Sequence, residues 1–177
     1  MRLKLHPDSR CAAVNGIDVS VLRGAAGRLQ LEYRTSGLPQ LGKPDAAGLT
    51  EPMRADELWR HTCFEAFVRA PAAEAYYEFN FSPHLQWAAY RFESYRRDRK
   101  DVEVRPSITT RTGGGAFELS AELALNGLPG LGGSWRLALS AVIEEANGRM
   151  SYWALAHPPG SADFHQTDGF ALELPAI

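Results

Sequence analysis

The sequence predicts an all-β protein, an antiparallel β-sandwich of jelly-roll type. Two observations favour this class. Short runs of residues alternate between apolar and polar side chains, as half-buried strands do, and turn-forming Gly, Pro and Asn residues separate the runs. No segment shows a convincing 3.6-residue helical period. At 177 residues, the chain is predicted to fold as one domain over residues 1–177.

Three strands are predicted at the amino-terminal end. Residues 2–6 alternate and form the first strand, which Pro7 closes. Residues 11–23 form the second, with a bend at Asn15-Gly16. Residues 28–36 form the third, and a Gly-rich turn joins it to the second as a hairpin.

A long segment, residues 36–55, follows these strands. It contains six Gly and Pro residues and shows little periodicity. A segment of this length inside a compact domain usually has a function or is mobile. Because it leads directly to Trp59 and His61, we interpret it as a flap beside a binding site. A loosely ordered surface connection is the alternative interpretation.

The most informative stretch is residues 56–92, which holds five of the eight Phe and two of the four Trp residues. At period two it predicts three consecutive strands, each with two different sides. In the first two strands, one side is apolar and suits a core, and the other mixes carboxylate, amide, imidazole, thiol and aromatic groups. That mixture is unlike an ordinary solvent-facing side and is typical of ligand contact.

The remaining strands follow the same alternation. The first of them is interrupted at Pro106 and is therefore predicted at an edge of the sheet. Asn147-Gly148 predicts a tight hairpin. These later strands are predicted over residues 101–112, 117–125, 135–145, 150–158 and 170–174.

Charge and composition exclude several functions. The net charge is −2, which disfavours sequence-independent binding to nucleic acid. The short basic run Arg96–Lys100 is interpreted as a solvated turn. No apolar run is long enough to span a bilayer, and the amino terminus lacks the apolar core of a secretion signal. We therefore expect a cytoplasmic protein without a membrane partner, in which Cys11 and Cys63 are reduced.

Two blocks of the sequence resemble a known family. The first consists of LWRHTCFEAFV, YYEFNFSP and WAAYRFESYR, and the second is WRLALSAVIEEANGRMSYWALAHPPGSADFH. Together they resemble the DOMON-like domains related to family-9 carbohydrate-binding modules, in a bacterial subgroup often labelled MurB-like. The resemblance covers most of residues 1–175. It implies a β-sandwich that binds a ligand, which is a sugar or haem in better understood relatives.

The resemblance also implies positions for a sugar site. The strand over residues 63–68 is similar to the acidic strand that family-9 modules place beside their site. Those modules hold a sugar between two Trp residues, and Trp59 is the best match to one of them. The second position stays open, with Trp87 and Trp153 as the two possibilities.

The residues themselves suggest a ligand-binding patch on the three central strands. Trp59 and Trp87 offer stacking surfaces for a sugar ring, and Glu65, Asn80 and Arg91 offer hydrogen bonds to hydroxyl groups. The alternative is that Trp87 belongs to the core and that Glu65 and Arg91 form a cross-strand ion pair.

A second hypothesis places the site at one end of the sandwich. Trp59 and His61 lie where the long segment enters the first central strand. His157, Asp163 and His165 lie in a Pro- and Gly-containing loop after the last hairpin. Loops at one end of a sandwich commonly carry binding residues, so we expect these five side chains to converge.

Metal and haem sites are alternatives. His61 and Cys63 share one side of a strand, and His157 and His165 follow from a distant loop, but this spacing is not that of a standard zinc motif. The haem-binding DOMON branch uses a Met/His pair, and none of the Met residues here has a recognisable ligand context. These residues are Met1, Met53 and Met150.

The expected function is therefore that of a non-catalytic module that binds a carbohydrate or a similar small polar ligand, without a cofactor. A sugar-active hydrolase or isomerase that uses Glu65 and Glu78 is the first alternative, because paired carboxyl groups catalyse such reactions. A haem- or metal-binding protein is the second. The identity of the ligand and the oligomeric state are not predicted by any pattern in the sequence.

Overall fold

The computed structural model describes residues 1–39 and 50–177. In this part of the chain, thirteen strands form one curled sheet, without an α-helix, so the prediction of an all-β fold is confirmed. The strands are β1 (Arg2–Leu5), β2 (Val14–Gly24), β3 (Arg28–Gly37), β4 (Met53–Arg54), β5 (Cys63–Arg69), β6 (Tyr76–Phe81), β7 (Gln86–Phe92), β8 (Lys100–Asp101), β9 (Ser107–Gly113), β10 (Ala116–Ala124), β11 (Trp135–Glu144), β12 (Met150–Ala154) and β13 (Leu172–Leu174). Three short 3-10 turns cover Ala25–Gly27, Leu58–Arg60 and Thr167–Gly169.

The sheet folds back on itself at β1 and so makes two layers. We call the run β4-β7-β6-β5-β11-β12 layer A and the run β2-β3-β10-β9 layer B. Strand β1 pairs with β12 on one side and with β2 on the other. The short strands β13 and β8 extend layer A next to β11 and β7. Neighbouring strands are antiparallel except β4, which runs parallel to β7.

Aromatic side chains hold the two layers together. The ring of Phe64 on β5 stacks on Phe117 of β10, with ring centroids 5.8 Å apart, and lies 5.2 Å from the ring of Tyr33 on β3. The buried Tyr33 hydroxyl donates a hydrogen bond of 2.7 Å to the carbonyl oxygen of Glu65. The backbone of β5 is therefore fixed from layer B by packing and by a hydrogen bond.

Several local features match the sequence. Strand β2 has a bulge between Val14 and Gly16, where the bend was predicted. Strand β9 begins directly after Pro106 and lies at one end of the strand order. Cys11 and Cys63 form no disulfide bond. Within the described ranges, no helix is long and apolar enough to cross a membrane.

Of the predicted flap, residues 36–55, residues 40–49 lie outside the described ranges. Its last part pairs with the edge of layer A, where Met53 and Arg54 lie beside Gln86 and Trp87. The 3-10 turn that follows carries Trp59.

The central strands of layer A are buried on both sides, which is unusual for a sandwich. Every residue of β5 and β6 is buried. The inner side faces layer B, and the outer side carries a second apolar cluster over part of its area. The buried members of this outer cluster are Leu58, Cys63, Phe67, Tyr76, Ala88, Tyr90, Phe92, Ala138 and Phe170.

We expect Phe64→Ala to lower the free energy of unfolding by about 3–5 kcal/mol, because it leaves a cavity between the two layers. Urea unfolding followed by intrinsic fluorescence measures this change. Leu22→Ala is the matched control, because Leu22 is 60% exposed and should change stability by less than about 0.5 kcal/mol. Equal losses in the two variants would contradict the proposed role of Phe64.

Candidate functional site

The outer side of layer A contains a cleft of about 460 Å³. Strands β5, β6, β7, β11 and β12 contribute its floor and walls. Its rim is formed by the 3-10 turn that carries Trp59, by the turn over residues 93–99 and by residues 161–166. The lining residues are Trp59, Glu65, Glu78, Tyr90, Phe92, Arg96, Arg99, Val142, Tyr152, Ala162, Asp163, Phe164 and His165.

Strand register explains why two carboxyl groups lie side by side in the floor. Glu65 on β5 is directly opposite Asn80 on β6, and Glu78 lies two residues further along β6. On its other side, Glu65 is directly opposite Ser140 of β11. Side chains two residues apart on a strand share a side of the sheet, so Glu65 and Glu78 are diagonal neighbours on the outer side.

Both floor carboxyl groups are nearly inaccessible to solvent, with exposed fractions of 3% for Glu65 and 5% for Glu78. The Ser140 hydroxyl donates to Glu65 over 3.2 Å, and the Asn80 amide donates to Glu78 over 2.7 Å. Burial, followed by repulsion from Glu78, raises the pKa of Glu65 to about 8. Burial raises the pKa of Glu78 to about 7. The pair therefore retains a proton at neutral pH.

The imidazole of His165 stands beside this pair and is uncharged. Burial, with repulsion from Arg96, lowers the pKa of His165 to about 4. The Tyr76 hydroxyl lies 2.7 Å from Nδ1 of His165 and accepts the backbone N–H of Arg96 over 3.1 Å. When the Tyr76 hydroxyl donates to Nδ1, the imidazole proton lies on Nε2, which is 3.7 Å from a carboxyl oxygen of Glu78.

Asp163 joins the two loops of the rim. Its carboxylate accepts hydrogen bonds from the Tyr95 hydroxyl, from the Arg96 guanidinium over 2.9 Å and from the backbone N–H of His165 over 3.1 Å. Burial alone would raise the pKa of Asp163, but these hydrogen bonds outweigh it and lower the pKa. Arg96 has a left-handed backbone conformation, with φ of 54°, so the turn is held in a strained shape by these contacts.

Aromatic rings supply the apolar surface of the cleft. Trp59 is half-buried and packs edge-on against Tyr90, with ring centroids 6.3 Å apart. On another part of the lining, Phe164 packs edge-on against Tyr152 at 6.2 Å. The Arg99 guanidinium lies 4.7 Å from the Tyr90 ring centroid. The cleft thus combines ring faces, hydrogen-bond acceptors and cationic donors.

The structure brings four of the predicted site residues together in this cleft: Trp59, Glu65, Asp163 and His165. Asn80 is fully buried and reaches the site only through its hydrogen bond to Glu78. The two placements that the sequence suggested, the sheet surface and the loops at its end, are therefore parts of one cleft.

The prediction that Trp87 and Arg91 share a patch with Glu65 is wrong. Asn80 is opposite Ala88, so Trp87 and Arg91 point to the other side of layer A. Trp87 is 3% exposed and belongs to the core between the layers. Arg91 forms an ion pair with Glu93, so the alternative pairing of Arg91 with Glu65 is wrong as well.

Trp153 is also outside the cleft. It belongs to the core between the two layers, and its indole N–H donates to the Ser151 hydroxyl over 3.1 Å. Trp59 is therefore the indole that lines the cleft in the described part of the chain.

Two of the predicted His residues do not reach the cleft. His61 is exposed at the start of β5 and lies 2.9 Å from Glu144 through Nδ1. His157 donates from Nε2 to the carbonyl oxygen of Lys4 over 2.8 Å. The proposed metal ligands are not gathered, because Cys63 is fully buried in the outer apolar cluster. Over residues 1–39 and 50–177, no three His, Cys, Asp or Glu side chains form a group suited to a metal ion.

Sequence reasoning missed the aromatic and cationic part of the lining. Arg96 and Arg99 belong to a basic run that was interpreted as a solvated turn, yet both line the cleft. Tyr90 and Phe92 alternate with the core residue Trp87 and with Arg91 along β7, and this alternation was the available signal for them. Tyr152 has the same kind of signal, because it alternates with the core residue Trp153 along β12.

The sequence matches no protein-family model and no curated protein at a significant level. Two solved structures share the fold. One is a family 9 carbohydrate-binding module from Caldicellulosiruptor kristjanssonii in complex with glucose, with a TM-score of 0.54 and 13% identity over 92% of this chain and 76% of that one. The other is a putative carbohydrate-binding protein from Bacteroides uniformis, with a TM-score of 0.55 and 12% identity over 86% of this chain and 75% of that one. At these identities, the likeness shows the fold, which is that of family 9 modules.

The floor carboxyl groups should make stability fall as pH rises. Their folded pKa values, about 8 for Glu65 and about 7 for Glu78, lie above the ordinary value of 4.5. The folded protein therefore holds more protons than the unfolded chain across that interval, and its stability declines with pH there. The lowered pKa of His165 has the opposite effect, because it makes stability rise with pH between about pH 4 and pH 6.5.

Considering these three groups, we expect the melting temperature to fall as pH rises from about 6.5 to about 9. Scanning calorimetry across this range measures the change. Glu78→Gln should make the melting temperature depend less on pH, because it removes one titrating carboxyl group and the repulsion that this group exerts on Glu65. Glu144→Gln, which alters a carboxylate outside the cleft, should leave the slope unchanged. A pH-independent melting temperature in the unmodified protein would refute this account of the floor.

Proposed function

We propose that this protein is a non-catalytic carbohydrate-binding module of the DOMON-like type, and that the cleft on layer A is its ligand site. One observation supports this most strongly: a half-buried indole, that of Trp59, lines the same cleft as the two buried carboxyl groups. The fold adds support, since one similar structure is a module in complex with glucose. The cleft volume of about 460 Å³ lies in the range of small-molecule sites.

The chemistry of the lining suits a sugar. Pyranose rings present apolar C–H faces, which stack on aromatic rings such as that of Trp59. Their hydroxyl groups both donate and accept hydrogen bonds. Glu65 and Glu78 supply acceptors at the floor, and the guanidinium groups of Arg96 and Arg99 supply donors at the rim.

Hydrogen bonds also hold the rim of the cleft in place. Asp163 fixes the turn over residues 93–99 to the segment over residues 161–166. A rim ordered before binding reduces the conformational entropy that the ligand complex loses. Affinity then depends on the aromatic and polar contacts within the cleft.

We expect Trp59→Ala to weaken glucose binding by about 1–3 kcal/mol, because it removes the stacking surface. Isothermal titration calorimetry measures the affinity, and circular dichroism checks that the fold is intact. His61→Ala is the matched control, since His61 lies two residues away and outside the cleft. Unchanged glucose affinity in Trp59→Ala, in a protein that binds glucose, would exclude the indole from the site.

A sugar-active enzyme is the second candidate, and one observation favours it: Glu65 and Glu78 line the same cleft. Paired carboxyl groups of different pKa are the acid and base of glycoside hydrolysis. This function would give turnover of aryl glycosides or changes in the anomeric ratio of free sugars.

The two functions can be separated by one variant. For a binding module, we expect no turnover from the unmodified protein with a panel of aryl glycosides, and glucose affinity lowered in Glu65→Gln. Product release measured by absorbance, together with calorimetry, distinguishes the two functions. Turnover that Glu65→Gln abolishes while binding is retained would establish the enzyme instead.

A further inference from the structure

The floor of the cleft lacks a cationic partner for its two carboxyl groups. Glu residues are seldom this buried unless they are paired with a cation. In the described ranges, no ion pair involves Glu65, and the partner of Glu78 is His165 at 3.7 Å, whose imidazole is uncharged. Beside them, Oδ1 of the fully buried Asn80 has no hydrogen-bond donor. The floor is thus rich in acceptors and short of donors.

The nearby arginines are engaged elsewhere. The Arg96 guanidinium is bound to Asp163 over 2.9 Å, at the rim. The Arg99 guanidinium stacks on Tyr90, 4.7 Å from the ring centroid, and is solvent-exposed. Neither forms an ion pair with a floor carboxyl group in the described structure.

The carboxyl groups of the cleft outnumber its guanidinium groups by one. Three carboxyl groups, those of Glu65, Glu78 and Asp163, face the guanidinium groups of Arg96 and Arg99. If all were ionised, the cleft would carry one negative charge in excess. One proton held on the floor pair, whose pKa values are raised, balances this charge. A ligand with a single positive charge balances it equally well, and leaves both carboxyl groups ionised.

We propose that the cleft prefers a sugar that carries a protonated amine, whose ammonium group binds between Glu65 and Glu78. This inference rests on the proposed carbohydrate-binding function and names the class of sugar. An ammonium group offers three donors to the floor acceptors, whereas a hydroxyl group offers one. Hydrogen bonds between charged groups are also roughly twice as strong as neutral ones, most of all in a buried site.

The same arrangement predicts a proton exchange. An ammonium group next to the floor favours the ionised form of both carboxyl groups. With pKa values of about 8 and about 7, both floor carboxyl groups are mostly protonated at about pH 6.5, so up to about two protons are released when an amino sugar binds. A neutral sugar leaves these protons in place.

Calorimetry with three probes tests the proposal on the full chain. Glucose, glucosamine and N-acetylglucosamine are titrated at about pH 6.5, where the amine of glucosamine is charged. We expect glucosamine to bind about tenfold more tightly than glucose, and N-acetylglucosamine to lose this advantage because its nitrogen is neutral. Repeating the titrations in buffers of different ionisation enthalpy should show the release of about one to two protons for glucosamine and none for glucose.

Two variants test whether the preference for glucosamine depends on the floor of the cleft. Glu78→Gln should remove the preference for glucosamine over glucose, because it lowers the affinity for glucosamine more than that for glucose, and it should reduce the proton release. Glu144→Gln, which alters the carboxylate beside His61 outside the cleft, should keep both effects. Proton release by the unmodified protein supplies a readout that does not depend on whether Glu78→Gln folds.

The outcomes distinguish a failure of the amino-sugar preference from a failure of the carbohydrate-binding function. Glucose binding that equals or exceeds glucosamine binding, without proton release, would overturn the amino-sugar preference and leave the carbohydrate-binding function in place. If none of the three sugars bound, the proposed function and the inference would both fail. Glucosamine binding that survives unchanged in Glu78→Gln would show that the ammonium group binds elsewhere.

Discussion

The structure depends on one constraint, the burial of both sides of the central strands of layer A. Every residue of β5 and β6 is shielded from solvent, so the period of two decides which side chains build the core and which build the cleft. Phe64 packs toward layer B, and its neighbour Glu65 lines the cleft on the outer side. A register slip of one residue would place the carboxyl group in the core and the ring in the cleft.

Because of this constraint, the packing between the layers must offset the cost of burying the floor of the cleft. Two buried carboxyl groups on adjacent strands oppose folding, because ionisation is costly without solvent or a counter-ion. The packing between the layers offsets this cost, and the Tyr33 hydroxyl ties the backbone of Glu65 directly to layer B. The polar floor is therefore held in position by contacts on the other side of the same strand.

The sequence was sufficient for the fold class and for the sides of the central strands, since both follow from local alternation. The error at Trp87 and Arg91 came from combining side chains of different strands without their register, which depends on turns and on packing. The contribution of Arg96 could not be foreseen, because its left-handed backbone and its bond to Asp163 arise only when two distant loops meet. Tertiary contacts, and not propensity, decide such positions.

Asp163 makes the two loops of the rim depend on each other. Because its carboxylate accepts hydrogen bonds from Tyr95, from Arg96 and from the backbone of His165, the two rim loops form a single structural unit. Transplanting either loop alone into another sandwich would leave donors or an acceptor without partners. Natural or engineered recombination among domains of this fold should therefore exchange the two loops together, as a matched pair of segments that are distant in sequence.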